Sequence, residues 1–220
     1  MINTVAVTRP HPQLCGTMAK VAARGFKPLA APVLRLERLG PAPAAGGAKA
    51  IALTSRTAAA LLQDADHLKT LPAFCVGNAT AREAAAAGFP RTISADGDVD
   101  ALARKIIAAG VSPVIHVCGE DFRGDLVGAL RAAGAAAERA VLYRMAPAKA
   151  LPDAPDGVDA VLLFSPRSAM VFAALGTDPP WSTARVVAIS QAAAAGFSGA
   201  AIAARPTEAA LLDALSALAP

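Results

Sequence analysis

Short apolar runs alternate along the chain with Ala- and Leu-rich segments in which apolar residues recur at helical spacing. Parallel strands joined by crossover helices produce this alternation, so the pattern predicts an α/β fold with parallel sheets. The predicted strands are Val5–Thr8, Ile51–Thr54, Ala73–Val76, Arg91–Ser94, Val114–Cys118, Ala140–Tyr143, Val161–Phe164, Val186–Ile189 and Ala200–Ala203. The predicted helices are Gln13–Ala23, Arg56–Leu62, Ala79–Ala87, Val99–Ala108, Arg123–Ala133, Ser168–Leu175 and Thr207–Leu218, several of which end at a glycine.

An internal repeat sets the organisation of the chain. The run Ile-Ala-Leu-Thr-Ser that ends at Ser55 corresponds to Val-Leu-Leu-Phe-Ser ending at Ser165, and the offset in numbering is 165 − 55 = 110. The strand ends at Val7 and Val117 have the same offset, 117 − 7 = 110. A third pair, Ala-Ala-Ala-Gly-Phe, has an offset of 196 − 88 = 108 at its glycine. The chain is therefore predicted to be an internal duplication.

Two stretches rich in Pro, Ala and Gly, 39–47 and 149–157, lie at equivalent places in the repeat. Such composition predicts flexible connections. The chain is therefore expected to leave one domain, complete a second and return, so that residues 1–38 plus 144–220 form a discontinuous domain one and residues 39–143 form domain two. The segments Leu29–Arg38 and Ala140–Pro147 are expected to run side by side as the hinge.

Composition and charge narrow the function. Residues are 55% hydrophobic and 17% charged, which excludes a disordered chain. The net charge of +4 is spread along the chain without a basic cluster, which argues against nucleic acid as a partner and favours a small anionic ligand. The three cysteines include no CxxC pair, so neither a disulfide framework nor a zinc ribbon is expected. With no signal-like start and no long apolar stretch, a cytoplasmic protein is expected, without a membrane partner.

Several strand-end motifs, in order, resemble one family. They are Val-Thr-Arg-Pro near the start, Thr-Ser at residue 54, Val-Gly-Asn-Ala-Thr-Ala at residue 76, Cys-Gly at residue 118 with Arg123 and Leu126 after it, the lone strand tyrosine Tyr143, and Phe-Ser-Pro-Arg-Ser at residue 164. Together they are similar to uroporphyrinogen-III synthase, over most of the chain. The resemblance implies two flavodoxin-like domains, each a three-layer doubly wound parallel sheet, joined by a two-stranded β-ladder with the substrate cleft between them.

The resemblance also implies a lyase of tetrapyrrole (haem, sirohaem, cobalamin, chlorophyll) biosynthesis that acts as a monomer. Its substrate, hydroxymethylbilane, is a linear polycarboxylate that loses its hydroxyl as water and closes to uroporphyrinogen III with ring D inverted. The implied reaction uses no metal, nucleotide or organic cofactor. The preceding pathway enzyme is a candidate partner that hands over the bilane. Because the bilane is reactive by itself, the main task of the protein is to hold its conformation.

Ligands of doubly wound sheets bind at the carboxyl ends of the strands, where helix N-termini favour anions. The predicted substrate-binding residues at these ends are Arg9, Ser55, Arg56, Gly77, Asn78, Thr80, Gly119, Arg123, Ser165, Arg167, Ser168 and Ser190. The serines and Thr80 have a second interpretation as ordinary helix caps, and the arginines as solvated surface residues.

Tyr143 is the candidate catalytic acid that the resemblance implies. The alternative is a core aromatic residue on the strand face of Val141 and Met145. His116 and Cys118 share a strand face, which with Cys75 would suggest a metal site. A buried histidine and two core thiols are the preferred interpretation because a fourth ligand is missing.

One region departs from the family pattern. The second copy has Ile-Ser-Gln-Ala around Ser190, where the family usually has Gly followed by Thr-Ala. This departure leaves open a catalytically degenerate, bilobal tetrapyrrole-binding or regulatory protein of the same fold. A bilobal transport receptor is a third hypothesis, against which the absence of an export signal counts.

Overall fold

The computed structural model describes residues 2–218. Two sheets of mainly parallel strands, each flanked by helices, form the architecture, and the predicted α/β fold class is confirmed. The chain divides into two compact units. Unit one contains the chain up to Leu36 and from Ala146 onward, and unit two is Glu37–Met145. These boundaries lie close to the sequence-based ones at 38 and 144.

The strands are β1 Thr4–Val7, β2 Lys27–Ala30, β3 Leu34–Arg38, β4 Ala50–Leu53, β5 Ala73–Cys75, β6 Thr92–Ser94, β7 Val114–Gly119, β8 Ala137–Pro147, β9 Ala160–Leu163, β10 Arg185–Ala188 and β11 Ala201–Ile202. The α-helices are α1 Gln13–Ala22, α2 Arg56–Ala60, α3 Asn78–Ala86, α4 Val99–Ala108, α5 Leu126–Ala132, α6 Pro166–Leu175, α7 Gln191–Ala194 and α8 Glu208–Ser216. A 3₁₀ turn spans Asp66–Leu68.

Unit one contains a five-stranded parallel sheet in the order β2-β1-β9-β10-β11. Numbered along the chain within the unit, this is 2-1-3-4-5, the flavodoxin-like order. Val5, Leu162 and Val187 point from the sheet into a core that α1 and α8 cover with Leu14 and Leu211. Helices α6 and α7 pack on β9 and β10 outside that core. Strands β1 and β9 are buried on both faces, which explains their continuous apolar sequence.

Unit two contains a six-stranded sheet in the order β3-β8-β7-β4-β5-β6. From β8 to β6 the strands are parallel, and numbered along the chain within this unit their order is 5-4-1-2-3. Ile51 and Ile115 face α2 and α3, whereas Ala52 and Phe74 face α4 and α5. Helices therefore cover both faces, as the alternation of strand side chains requires.

Strand β3 lies at the edge of this sheet beside β8. The Leu39 N–H donates to the Leu142 carbonyl over 2.9 Å, and the Ala148 N–H donates to the Val33 carbonyl over 2.8 Å. One residue number rises as the other falls, so the pair is antiparallel. Both strands continue across the unit boundary. The role of this pair as a hinge stays a prediction, as does the assignment of the units as two duplicated domains.

Among the elements that differ from the sequence-based predictions, three differ for a clear local reason. Strand β2 was missed because Pro28 interrupts it, but β2 is an edge strand, where proline is tolerated. Helix α7 has four residues, too few to show a helical period. Helix α5 begins at Leu126 rather than Arg123, because the Asp125 carboxylate accepts a hydrogen bond from the Gly128 N–H and caps the helix there.

Within residues 2–218, every helix is too short or too polar to cross a membrane.

Candidate functional site

The predicted site residues lie at the carboxyl edges of the two sheets, and each edge is described separately. In unit two this edge is formed by the ends of β4, β5, β7 and β8 and the helix starts that follow them. In unit one it is formed by the ends of β1, β9 and β10. Because parallel strands all end at one side, residues distant in sequence come together there.

Tyr143 and Ser55 form the centre of the unit-two edge. The Tyr143 and Ser55 hydroxyl oxygens are 2.8 Å apart, within hydrogen-bond distance. The Ser55 hydroxyl also caps α2 by accepting from the Ala58 N–H at 3.3 Å. The Tyr143 ring packs against Gly119, where an added Cβ would lie 2.6 Å from the ring carbon Cζ. Three predicted site residues from three strand ends therefore meet, and one hydroxyl contacts both a helix start and a phenol.

A β-bulge in β8 sets the direction of Tyr143. The ladder pairs Cys118 with Val141 and then Gly119 with Tyr143, so one extra residue is accommodated between them. Tyr143 and Met145 belong to the core under α2 and α3, whereas Val141 is 41% exposed and lies outside it. The expectation that Tyr143 shares a strand face with Val141 was therefore wrong, because the bulge breaks the period of two.

Helix α3 forms a second part of this edge. Its N-cap is Gly77, so Thr80 lies buried inside the first turn and is not the cap that the sequence suggested. Its own hydroxyl therefore does not close the start of the helix. Asn78 is exposed, and its side-chain amide donates to the Asp96 carboxylate over 2.7 Å. The N-terminus of this nine-residue helix consequently has no side-chain cap of its own.

The predicted site arginines of unit two are exposed. Arg56 is the first residue of α2, and Arg123 lies in the loop between β7 and α5 rather than in the predicted helix. Phe122 lies in the same loop, and the Arg139 guanidinium carbon is 4.0 Å from the centre of its ring. Arg139 also pairs with Asp125 at 2.9 Å. The stacking is a cation–π contact that holds the loop against β8.

His116 is buried in β7 on the face opposite the Tyr143 core. Its Nε2 lies 3.0 Å from the Thr54 hydroxyl, and the edge of its ring contacts Phe122. Burial, together with the charge of Arg139, lowers the pKa of His116 to about 4, although Asp125 acts in the other direction. The ring is consequently neutral at pH 7.

The two buried thiols lie on different faces of the sheet. Cys75 belongs to the core under α2 and α3, whereas Cys118 follows His116 by two residues on the other face. Burial raises the pKa of Cys75 to about 11 and also raises that of Cys118. In the described part of the chain, no group of three His, Cys, Asp or Glu side chains has the geometry to hold a metal.

In unit one, the hydroxyls of Ser165 and Ser168 form hydrogen bonds with backbone groups at the start of α6. Ser165 accepts from the Ser168 N–H at 3.1 Å, and Ser168 accepts from the Ser165 N–H at 3.0 Å and donates to the Ser165 carbonyl at 2.8 Å. This is a reciprocal capping box, in which Ser168 is buried. Arg167, the second residue of α6, is exposed. Ser190 caps the short α7 by accepting from the Ala193 N–H at 3.3 Å.

Arg9 lies at the end of β1 and is held by two contacts. It pairs with Glu208 at 3.3 Å, and its guanidinium carbon lies 4.7 Å from the centre of the Phe164 ring. Glu208 also binds Lys20 and accepts from Thr17 at 2.5 Å. Burial acts to raise the pKa of Glu208, but these hydrogen bonds and charges outweigh it and lower the pKa.

The sequence analysis missed three participants at these edges: Thr54, Asp96 and Glu208. Glu208 had a local signal, since it follows the α8 cap Thr207 in the position where acidic residues favour a helix start. Asp96 had no local signal, and the Thr-Ser motif at residue 54 did not indicate the contact of Thr54 with His116, because the partners of these residues are 18 and 62 residues away.

The model of the family described as uroporphyrinogen-III synthase HemD matches residues 17–213 of the chain. That match begins within α1 and ends within α8, so it covers every strand-end motif named above except Val-Thr-Arg-Pro at the end of β1. The chain belongs to the uroporphyrinogen-III synthase family. The resemblance that the strand-end motifs indicated is therefore confirmed, and the family is one of lyases.

Two solved structures illustrate what this chain is similar to. A uroporphyrinogen-III synthetase from Helicobacter pylori 26695 is similar over 99% of this chain and 100% of that chain, with 16% identity and a TM-score of 0.65. A wild-type uroporphyrinogen III synthase from Thermus thermophilus is similar over 87% of this chain and 86% of that chain, with 19% identity and a TM-score of 0.42. The first of these likenesses shows that the two chains share a fold. No curated protein matches this chain.

Proposed function

We propose that this chain is a uroporphyrinogen-III synthase, which converts linear hydroxymethylbilane to uroporphyrinogen III with inversion of ring D and loss of water. The observation that carries the proposal is that the Tyr143 and Ser55 hydroxyl oxygens lie 2.8 Å apart. The Tyr143 ring packs against Gly119, where a side chain would occupy its place. Membership of the family supports the substrate class. The proposed enzyme is a cytoplasmic monomer that receives the bilane from the preceding enzyme of its pathway.

Tyr143 is the proposed acid for the departure of the hydroxyl. The tyrosine O–H donates its proton to the leaving oxygen, the C–O bond breaks, and water leaves behind an electrophilic azafulvene. The new C–C bond then forms at the substituted carbon of ring D, which gives a spiro centre. The older bond from that carbon to its methylene bridge breaks, and the freed methylene rejoins ring D at its unsubstituted α-carbon, which inverts the ring. The proton on that carbon is lost as the pyrrole is restored and returns to the tyrosine, so the protein ends unchanged. Ser55 holds the phenol in place through the 2.8 Å contact. Positioned acids of this kind contribute about 10²- to 10⁴-fold.

The remaining predicted residues are proposed to bind carboxylates. In unit two these are Arg56, Arg123, Asn78 and the uncapped start of α3 at Gly77 and Thr80. Backbone N–H groups at the start of a helix attract anions without a dedicated arginine. In unit one they are Arg9, Arg167, Ser165 and Ser190. The predicted Ser168 is not among them, because its hydroxyl is buried and donates to the Ser165 carbonyl. Binding several carboxylates at fixed places restricts the conformations of the flexible bilane, which favours attack at one carbon.

A coupled assay tests the proposal. Hydroxymethylbilane is generated in place, and the oxidised products are separated into type I and type III isomers with and without this protein. We expect type III isomer in proportion to the amount of protein, because closure without a catalyst gives type I. Type I isomer alone, from a protein whose circular dichroism shows that it is folded, would refute the proposal. It would favour a tetrapyrrole-binding or regulatory protein of the same fold.

A further inference from the structure

His116 is a buried histidine whose hydrogen bonding is incomplete. The side chain is 1% exposed, and Nε2 lies 3.0 Å from the Thr54 hydroxyl oxygen. Nδ1 is buried and, among residues 2–218, has no hydrogen-bond partner. The imidazole and the Phe122 ring are nearly perpendicular, with their centres 6.4 Å apart, and the Arg139 guanidinium carbon lies 4.0 Å from the centre of the Phe122 ring. The imidazole is thus buried and, within the described residues, has one polar contact.

This burial determines which nitrogen carries the proton. The ring is neutral at pH 7, so one nitrogen donates and the other accepts. If Nδ1 carried the hydrogen, a buried N–H would lie without an acceptor, which is among the rarest defects in folded proteins. A lone pair without a donor is better tolerated. We therefore place the hydrogen on Nε2, from which it is donated to the Thr54 oxygen.

This donation controls the direction of the Thr54 hydroxyl. A hydroxyl has one hydrogen to donate and two lone pairs that accept. With one lone pair turned to His116, the hydrogen must point away from the imidazole. Thr54 is half-buried at the carboxyl end of β4, next to Ser55, and in the described chain its hydrogen has no protein acceptor. The hydroxyl is therefore available as a hydrogen-bond donor at the edge where Tyr143 lies.

We propose that His116 is a positioning residue that orients the Thr54 hydroxyl to donate a hydrogen bond to a carboxylate of the substrate. The inference rests on the proposed function, since it takes the polycarboxylate bilane as the ligand. His116 itself does not touch the substrate and does not exchange a proton during the reaction. Strand β7 then contributes two residues to the site: His116 orients Thr54, and Gly119, at the end of the same strand, leaves room for the Tyr143 ring.

A matched pair of substitutions tests the inference. His116→Gln retains an N–H near the position of Nε2, whereas His116→Met has a similar length but no donor. Thr54→Val removes the hydroxyl with little change of shape, and the double variant His116→Met/Thr54→Val closes a thermodynamic cycle. For each protein, KM for the bilane and kcat for type III isomer are measured, together with the melting temperature.

We expect Thr54→Val to raise KM about tenfold, because a hydrogen bond to a charged group is lost. His116→Met should raise KM about fivefold with little change in kcat, and His116→Gln should lie within about twofold of wild type. In the double variant, His116→Met should add nothing to Thr54→Val, since its effect passes through that hydroxyl. A purely structural role of His116 would instead lower kcat and the melting temperature and would add to Thr54→Val.

An unchanged KM in His116→Met, or additive effects in the double variant, would overturn the inference while type III synthesis by the wild type stands. Failure of the proposed function is seen separately, because the wild type itself would then form type I isomer alone. In that outcome the substrate carboxylate does not exist as a partner, and the inference falls with the function.

Discussion

The carboxyl edges of the two units use the same motif differently. Ser55 and Ser165, which correspond to each other in the repeat, both follow a buried strand and both cap the next helix. In unit one the Ser165 hydroxyl is enclosed in a capping box with Ser168. In unit two the Ser55 hydroxyl also contacts the Tyr143 phenol at 2.8 Å. A capping serine can thus be part of the candidate site where a second side chain, here Tyr143, contacts its hydroxyl.

The starts of helices α3 and α7 also differ between the two units. Helix α3 has nine residues and begins at Gly77 without a side-chain cap, whereas α7 has four residues and begins at Ser190, whose hydroxyl caps it. The first N–H groups of α3 therefore have no side-chain cap, and the start of α7 is partly satisfied by its own serine. We infer that unit two contributes the chemistry and unit one mainly binding.

We expect the largest effect to be a loss of stability at acid pH that arises from His116. The corresponding residue of unit one in the repeat is Ala6 (116 − 110 = 6). In the folded state the pKa of His116 is lowered from 6.5 to about 4, so between these values the unfolded state binds the additional proton. The contribution of the neutral ring to the free energy of unfolding is fully present above pH 6.5 and decreases as the pH is lowered toward 4. The loss amounts to up to about 3 kcal/mol.

Urea unfolding of wild type and His116→Gln at pH 7 and pH 4.5, followed by far-UV circular dichroism, measures this loss. The variant should lose less stability between the two pH values. The fluorescence of Trp181, which lies in unit one, reports on that unit during the same titration. An equal pH dependence in both proteins would contradict a buried, neutral His116.

Removal of the phenol hydroxyl should have the next largest effect. Tyr143→Phe is expected to lower kcat for type III isomer about 100-fold, at the lower end of general acid catalysis, because the bilane is reactive by itself. The ring still packs on Gly119, so the melting temperature should change by a few degrees at most. Coupled-assay kinetics and thermal unfolding check both statements. Unchanged turnover would remove the tyrosine from the mechanism.

A substitution at Gly119 tests whether the Tyr143 ring requires the absence of a side chain at this position. Gly119→Ala places a Cβ 2.6 Å from the Tyr143 ring, so the ring must move, and we expect a stability loss of about 2 kcal/mol with a decrease in kcat. Gly16→Ala is the matched control, since it lies inside α1 with no heavy atom within 4 Å of the added Cβ. The control should be neutral or slightly stabilising in urea unfolding. Equal behaviour of the two variants would show that the ring contact is unimportant.

The smallest expected effect compares the two serines directly. Ser55→Ala and Ser165→Ala should each lower the free energy of unfolding by about 1 kcal/mol, because each removes a helix cap. Only Ser55→Ala should also lower kcat by a few fold, since only Ser55 contacts Tyr143. Steady-state kinetics on both variants decide the point. A comparable loss of kcat in Ser165→Ala would mean that unit one shares in the chemistry.

Local sequence patterns were sufficient to predict the fold class, most strands and helices, and the family. Apolar strands buried on both faces and helices of regular period are local patterns, and they predicted α4 at Val99–Ala108 with both ends correct. Strand-end motifs also pointed to Ser55, Gly119 and Tyr143 as site residues. Local signals failed where an element was short, as in α7, or lay at an edge, as in β2.

Which of these residues meet depends on contacts between distant parts of the chain. Ser55 and Tyr143 are 88 residues apart, and Thr54 and His116 are 62 apart, so no local pattern links them. The bulge in β8 aims Tyr143 at Gly119, and the capping box in α6 withdraws Ser168 from the surface. These contacts depend on strand order and register, which are fixed by packing over the whole sheet and not by neighbours in the sequence.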